Sequence, residues 1–421
     1  MTKILDVYLH RDLVGHLMQD DHGLMIFSYI DNWLEKPNAM PLSHSLPLRS
    51  ELFRGKECKG FFGGILPEGQ KRELIAKNLG ISARNDYAML EQIGGECAGA
   101  VTFIPVGQSL PDRNYRYRQL SDEVLAGILK ELPRRPLMAG AEDIRLSLAG
   151  AQDKIAVHVS GDKISLPLGG APSTHILKPA IEHFEGVVFN EAVCMRAASA
   201  AGLPTAEVEF RQVEEIDYLL VERYDRQKRM VPGGPSFYER LHQEDFCQAL
   251  GVASEMKYQS EGGPLLKQCF ALLREVSKVP IIDLQRLLDA VIFNVLIGNH
   301  DAHSKNFSFT YGEGALITGK DVQLAPLYDL VSTVYYPELT PNMAMKVGGE
   351  SKSEKLRPRN FEKLAMEANL AKPMVIQRVP ELARTVLETI DEIDIVHPVG
   401  RGVIALIKER CKKFIHIFET T

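Results

Sequence analysis

The stretch Gly298-Asn299-His300-Asp301-Ala302-His303-Ser304-Lys305-Asn306-Phe307 decides how this chain is interpreted. An apolar segment with helical periodicity, residues 282–297, precedes it, and an alternating strand pattern begins near its end. The ten residues are therefore predicted to form a loop between a helix and a strand. This loop brings carboxylate, imidazole and amide side chains together.

Within the loop, Asp301 and Asn306 have the spacing Asp-x-x-x-x-Asn. The catalytic loop of protein kinases has the same spacing, with Asp orienting the attacking hydroxyl and Asn binding Mg²⁺. A serine hydroxyl attacks poorly unless it is oriented and relieved of its proton. Because His300 replaces the usual Arg and the spacing arises often by chance, the assignment of Asp301 as the catalytic residue depends on its neighbours.

Downstream, Asp329 follows a predicted strand, where a kinase keeps its main Mg²⁺ ligand. The triplet Asp329-Leu330-Val331 lacks the Phe and Gly of the common kinase motif. Mg²⁺ prefers one or two carboxylates together with phosphate oxygens. Asn306 and Asp329 are therefore predicted to be the metal ligands.

Upstream, a loop of small residues begins at Ser147 and lies between two predicted strands, which lets backbone N–H groups approach phosphate oxygens. Lys178, on the strand 174–178, is predicted to contact the ATP phosphates, and Glu191, on the next helix, to pair with it. The crossover that follows is predicted to hold adenine through backbone groups. The predicted nucleotide contacts of the loop and the crossover are Ala149, Gly150, Ala151, Gln152, Lys154, Glu222, Arg223 and Tyr224.

Five such features in kinase order predict a fold of class α+β. It is a two-lobed, protein-kinase-like fold with an N-terminal α+β subdomain (1–110), a smaller lobe (111–225) and a mainly helical lobe (226–421), and ATP and Mg²⁺ are expected between the lobes. Residues 106–117 are predicted to be a linker. Helices are predicted at 187–202, 244–250, 265–276, 282–297 and 402–418, and strands at 154–159, 163–167, 174–178, 206–210, 218–222, 306–311 and 322–327.

Composition excludes several other classes of protein. The net charge of −6 over 421 residues makes the chain a poor non-specific DNA binder, so any association with DNA is expected to run through a basic partner. No apolar run is long enough to span a membrane, and no membrane partner is expected. Six scattered cysteines without a Cys-x-x-Cys pair are typical of reduced thiols in the cytoplasm.

Two other functions fit parts of the pattern. A metal-dependent phosphohydrolase would use His300, Asp301 and His303, but it leaves Lys178 and Asp329 without roles. The other alternative is a catalytically idle scaffold that only assists a repressor. Such a scaffold has no physical need for Asp301, Asn306, Asp329 and Lys178, and their presence counts against it.

With these residues in place, the chain closely resembles the HipA family of bacterial toxin kinases, whose fold is similar to that of phosphoinositide kinases. The resemblance covers nearly the whole chain through many separate motifs. The N-terminal motifs are Leu46-Pro47-Leu48, residues 61–69 and residues 93–101. The later ones are residues 147–154, 174–178, 190–191, 221–226, 243–245, 257–258, 262–264, 299–306 and 328–329.

The resemblance implies more than the residues do. Family members phosphorylate serine on protein targets, which include aminoacyl-tRNA synthetases, and thereby arrest growth. They also phosphorylate a serine of their own phosphate loop, which corresponds to Ser147, and the loop motif adds His303 and Lys305 to the nucleotide contacts. The expected partner is a helix-turn-helix antitoxin dimer, similar to HipB, that binds operator DNA.

Overall fold

The computed structural model describes residues 3–111, 115–141, 143–181, 183–230, 236–312 and 321–420. Contacts divide the chain into two compact units. Unit 1 comprises Met1–Pro179, Arg211–Glu255 and Phe309–Val322, and unit 2 comprises Ala180–Phe210, Met256–Ser308 and Gln323–Thr421. Residues 1–110 and 111–179 thus fall in the same unit, and the predicted three-part division stays a prediction.

Most strands form two antiparallel sheets. The five-stranded sheet has the order β4-β3-β2-β1-β5, and its strands are β1 (Lys3–Leu9), β2 (Asp12–Gln19), β3 (Met25–Tyr29), β4 (Phe53–Arg54) and β5 (Val101–Pro105). The six-stranded sheet has the order β10-β11-β9-β7-β8-β6, with β6 (Arg116–Gln119), β7 (Ile155–Ser160), β8 (Lys163–Leu168), β9 (His175–Pro179), β10 (Val208–Val213) and β11 (Ile216–Glu222). Smaller sheets contain β12 (Arg226–Arg229) with β13 (Phe237–Arg240), and β14 (His242–Asp245), β15 (Ser308–Tyr311) and β16 (Val322–Leu324).

The α-helices of the described residues differ greatly in length. Those before residue 150 are α1 (Asp31–Leu34), α2 (Lys56–Cys58), α3 (Gly69–Leu79), α4 (Asp86–Ile93) and α5 (Asp122–Glu131). The later ones are α6 (Val187–Ala200), α7 (Phe246–Ala249), α8 (Leu266–Val276), α9 (Pro280–Ile297), α10 (Pro358–Glu367), α11 (Lys372–Thr389) and α12 (Pro398–Glu419).

The predicted hairpin before and after Gly161, the strand at Lys178 and the helix at Glu191 are confirmed. The expectation of mainly helical structure beyond Asp225 is wrong for residues 226–229, 237–240 and 242–245, which form β12, β13 and β14. Charged residues occupy both faces of β12 and β13, so hydrophobic alternation gives no strand signal there. The helix predicted at 244–250 begins only at Phe246 and is one turn long.

Unit 1 has a continuous hydrophobic core. Buried side chains of the five-stranded sheet, such as Leu17 and Phe27, belong to the same cluster as Ile155 and Leu177 of the six-stranded sheet. This shared core explains why the N-terminal residues and the second sheet form one unit. All six cysteines lie within the described ranges and are buried, and none of them forms a disulfide, as predicted.

A buried ion cluster lies beside this core, formed by Glu96, Arg223, Asp225 and Arg226. Glu96 lies 3.1 Å from Arg223 and also pairs with Arg226, and Asp225 lies 2.9 Å and 2.8 Å from the same two arginines. Burial alone would raise the pKa of Glu96, but the neighbouring guanidinium groups outweigh burial and hold its pKa below the usual range. The cluster joins the start of β12 to residues 96–99 of the N-terminal region.

Unit 2 is built from helices that pack around α9. The helix α8 packs on α9, α11 packs on α9, α10 and α12, and α12 also packs on α6. On α9 the side chains of Leu287, Leu288, Ile292, Phe293 and Leu296 are fully buried. No helix among the described residues is long and apolar enough to cross a membrane.

We predict that Glu96→Ala lowers the free energy of unfolding by about 3–5 kcal/mol, because it leaves buried arginines without a carboxylate. Urea unfolding followed by circular dichroism measures this change. Lys130→Ala is the control, since it removes an ion pair with Glu214 whose side chains are 63% and 44% exposed, and it should cost less than about 1 kcal/mol. Equal costs for both variants would contradict a stabilising role for the cluster.

Candidate active site

The loop singled out in the sequence begins where α9 ends. Gly298 closes the helix in the left-handed conformation, with φ of 72°, and its N–H donates to Val295 O. A β-carbon on Gly298 would lie 2.3 Å from a methyl carbon of Val334, so no other residue fits without a shift. The turn directs the following residues away from the buried helix.

A chain of amide groups then fixes the backbone at Asp301. Asn294, which is buried on α9, donates to Ala290 O at 2.8 Å and accepts from Asn299 Nδ2 at 2.8 Å. Asn299 Oδ1 in turn accepts the N–H of Asp301 at 3.1 Å. The two bonds of Asn294 are buried and the bond to Asp301 is partly buried, so together they hold the backbone of Asp301 in a defined place.

The carboxylate of Asp301 is exposed to solvent. Its Oδ1 accepts a hydrogen bond from the Tyr258 hydroxyl at 2.8 Å. An exposed carboxylate on a fixed backbone is accessible to a substrate hydroxyl, which is what a residue that orients and deprotonates that hydroxyl requires.

Asn306 and Asp329, the predicted metal ligands, are neighbours in unit 2. Asn306 Nδ2 lies 3.2 Å from Asp329 Oδ2, and Asn306 Oδ1 accepts from the N–H of His303 at 3.1 Å. Asp329 has a φ of 59°, a conformation that only surrounding contacts sustain in a residue with a side chain. The Tyr328 hydroxyl supplies such contacts, to Lys305 O at 2.8 Å and Ser308 Oγ at 2.6 Å.

The side-chain types of this pair suit a divalent cation, but Asn306 Nδ2 faces Asp329 and Asn306 Oδ1 accepts from His303 N–H, so the Asn306 amide must turn before its oxygen can bind a metal. One carboxylate and one amide oxygen leave coordination positions for phosphate oxygens and water, which is how Mg²⁺ is commonly bound. Among the described residues, no group of three or more His, Cys, Asp or Glu side chains is arranged to hold a metal.

The helix α6 anchors the segment that follows Asp329. Asn190 is completely buried, and its amide accepts from Ser332 N–H at 2.8 Å and donates to Ser332 O at 3.0 Å. The adjacent Glu191 is also buried, with 1% exposure. Lys178 belongs to unit 1, where it is 5% exposed on β9, and its predicted pairing with Glu191 stays a prediction.

His300 has a structural role. Its Nε2 lies 2.7 Å from Ser353 Oγ and its Nδ1 lies 3.3 Å from Thr340 O, while its backbone N–H donates to Thr333 Oγ1. Burial lowers the pKa of His300, which favours a neutral ring. With both ring nitrogens engaged, His300 is poorly placed to bind a metal. The next two predicted contacts along the loop, His303 and Lys305, are also buried.

The predicted phosphate loop lies in unit 1. Gly150 has a φ of 104°, and a β-carbon there would lie 2.6 Å from Lys154 Nζ, which itself donates to Ala149 O. Ser147 is completely buried, and its hydroxyl donates to Ile65 O at 3.0 Å. Ala151 is exposed and Gln152 half-buried at the crest of the loop, the part that phosphates are expected to contact.

The predicted adenine contacts also lie in unit 1. The Arg223 side chain belongs to the buried ion cluster. The backbone N–H of Arg223 donates to Thr174 O at 2.9 Å. The Tyr224 hydroxyl donates to Gln243 at 2.7 Å, and Glu222 is exposed at the end of β11. Arg223 thus stabilises the fold, and adenine binding by the three residues stays a prediction.

Sequence reasoning placed Tyr258, Asn299 and Asn190 within motifs of the resemblance but assigned no role to any of them. One feature of the sequence pointed to the hydrogen bonds between Asn294 and Asn299. Asn294 interrupts an otherwise apolar helix, and a buried amide needs a hydrogen-bond partner. Tyr258 lies 43 residues before Asp301, and no pattern in the sequence predicts that contact.

Two family models match most of the chain. Residues 5–104 match the HipA N-terminal domain, and residues 146–392 match the HipA-like C-terminal domain. A putative kinase, Y4mE, of Sinorhizobium fredii is 44% identical over 93% of this chain and 92% of its own. The serine/threonine-protein kinase toxin HipA of Shewanella oneidensis is 28% identical over 94% of this chain and 90% of its own.

A solved structure is also similar. The toxin–antitoxin complex of HipA, HipB and operator DNA from Shewanella oneidensis contains a chain with a TM-score of 0.85 and 26% identity to this one. The match covers 99% of this chain and 98% of that one. The predicted α+β, kinase-like fold class is confirmed by this similarity.

We predict that Asn190→Ala lowers the free energy of unfolding by about 2–4 kcal/mol, since it leaves two buried backbone groups of Ser332 without hydrogen bonds. Urea unfolding measures the change. Asn38→Ala, at an exposed position, is the control and should change stability by less than about 0.5 kcal/mol. An Asn190 variant as stable as the control would show that this anchor is dispensable.

Proposed function

The chain belongs to the HipA family of protein serine/threonine kinases, and from that premise we propose that it transfers the γ-phosphate of ATP to a serine hydroxyl of a protein target. The observation that carries the proposal is the arrangement of Asp301, Asn306 and Asp329 within one unit. The exposed carboxylate of Asp301, on a backbone held by a hydrogen bond, lies on the same short loop as Asn306. The Asn306 side chain in turn lies next to the carboxylate of Asp329.

The reaction requires little covalent chemistry from the protein. The serine oxygen forms a bond to the γ-phosphorus as the bond from that phosphorus to the bridging oxygen of ADP breaks. Asp301 orients the serine hydroxyl and accepts its proton. Asn306 and Asp329 would hold a divalent ion, Mg²⁺ in our proposal, which neutralises charge on the phosphate oxygens when bound.

We assign the remaining nucleotide contacts unit by unit. In unit 1, Lys178 supplies positive charge to the phosphates, the phosphate loop supplies N–H groups, and the backbone at the end of β11 receives adenine. The loop and crossover residues are Ala149, Gly150, Ala151, Gln152, Lys154, Glu222, Arg223 and Tyr224. In unit 2, His303 and Lys305 are the proposed nucleotide contacts of the catalytic loop, and Glu191 is the proposed partner of Lys178.

Ser147 is the proposed site of self-phosphorylation. Its hydroxyl is buried against Ile65 O, so the loop must leave this position before the serine can be modified. A phosphate adds about −1.5 to −2 charges. Burying that charge next to apolar residues is unfavourable, so the phosphorylated serine would not return to its buried position. Phosphorylation would therefore keep the loop away from its present place and switch the kinase off.

The proposed biological context is that of a toxin restrained by an antitoxin. The similar HipA chain was solved with HipB and operator DNA. With a net charge of −6, this chain gains little from direct contact with phosphates of DNA, so DNA would be reached mainly through a helix-turn-helix antitoxin dimer. An aminoacyl-tRNA synthetase is the proposed class of target.

We predict that Asp301→Asn reduces the rate of phosphoserine formation at least about 100-fold, because an amide cannot accept the proton. Asp329→Ala should cause a similar loss and also raise the Mg²⁺ concentration needed for activity. The rates are measured with labelled ATP and a heat-treated bacterial protein extract as acceptor. Asp394→Asn, an exposed position in unit 2, is the control and should retain the full rate.

Undiminished transfer by the Asp301 variant would contradict the proposed role of that residue. Binding of ATP by the wild-type chain without any transfer would favour the idle scaffold instead.

A further inference from the structure

We propose that Tyr258 is the positioning residue that sets the carboxylate of Asp301 for phosphoryl transfer, an inference that rests on the proposed function. The Tyr258 hydroxyl donates to Asp301 Oδ1 at 2.8 Å. The two residues are far apart in the chain but belong to the same unit. The hydrogen bond therefore depends on how the segment around Tyr258 is held.

Two glycines hold that segment in a tight turn. The N–H of Gly263 donates to Tyr258 O at 2.9 Å, and Gly262 has a φ of 92°. A β-carbon on Gly263 would lie 2.3 Å from Met256 O and 2.7 Å from Tyr258 O. Glycine is required at this close approach, and the resulting turn fixes the backbone from which the tyrosine projects.

The same turn is tied to the catalytic loop through a third segment. Gln259 N–H donates to Ala344 O at 3.1 Å, and Gln259 Oε1 accepts from Lys346 N–H at 2.7 Å. Ala344 N–H donates to His300 O at 2.7 Å. Tyr258 and the residue before Asp301 are thus held by one piece of backbone, which keeps the distance between hydroxyl and carboxylate constant.

The ring of Tyr258 is held as well as its backbone. It meets the ring of His303 edge to face, with centroids 5.4 Å apart and planes at 75°. Lys257 Nζ lies 5.4 Å from the centre of the ring. Phenylalanine would keep the contact with His303 and lose only the hydroxyl.

The hydroxyl has two effects on an exposed carboxylate. It limits rotation of the carboxylate by fixing one oxygen, and it favours the charged form, since it donates to that form. A proton acceptor must be charged before it can take the serine proton. Loss of the hydroxyl should therefore slow the chemical step and make the reaction more sensitive to acid.

The test compares Tyr258→Phe with wild type in the labelled-ATP assay with the protein extract. We expect the maximal rate to fall about tenfold, because one hydrogen bond to a charged group is lost. The ATP concentration at half-maximal rate should stay unchanged. The acid limb of the pH–rate profile should move to higher pH by about one unit.

Tyr8→Phe, a half-buried tyrosine on β1, is the control and should match wild type in rate and pH profile. A Tyr258 variant with the wild-type rate and profile would overturn the inference alone. A slower variant whose acid limb has not moved would also overturn it, since a general loss of structure lowers the rate at every pH. Absence of phosphoserine in the wild-type reaction would overturn the proposed function together with the inference.

Discussion

The end of α9 is the constraint on which the candidate site depends. A helix buried on nearly all sides stops at Gly298 because only glycine fits against Val334. Hydrogen bonds through the side-chain amides of Asn294 and Asn299 then fix the backbone of Asp301 relative to the helix. Catalysis by positioning needs a reacting group whose place is settled before the substrate arrives. A buried helix provides such a support, whereas a free loop does not.

Around this point, polar contacts from distant segments fix the rest of the loop. His300 stands where many kinases have arginine, and it is bonded to Thr333, Thr340 and Ser353 without needing a charge. Asn190 holds the backbone just beyond Asp329. His300 and Asn190 are buried, so each of their hydrogen bonds replaces one that water would otherwise make, and breaking it leaves an unsatisfied partner. The site is therefore specified by contacts between residues far apart in the chain.

The sequence predicted the family and the local elements well because these depend on short-range patterns. The spacing from Asp301 to Asn306, the alternation of β7 and β8 and the apolar period of α9 can all be recognised within a few residues. It failed for β12 and β13, where charged side chains hide the strand pattern, and it did not reveal the buried carboxylate partners of Arg223, which include the distant Glu96. The contact between Tyr258 and Asp301 was missed for the same reason. Contacts between distant segments are set by tertiary packing, which no local pattern records.

Product analysis tests the central claim most directly. The purified chain is incubated with Mg²⁺ and ATP labelled at the γ-phosphate, together with the protein extract, and the labelled products are identified by mass spectrometry. The account predicts phosphoserine in protein, with release of ADP in equal amount. Inorganic phosphate as the only labelled product would contradict it, because Asp301 would then be activating water rather than a serine hydroxyl.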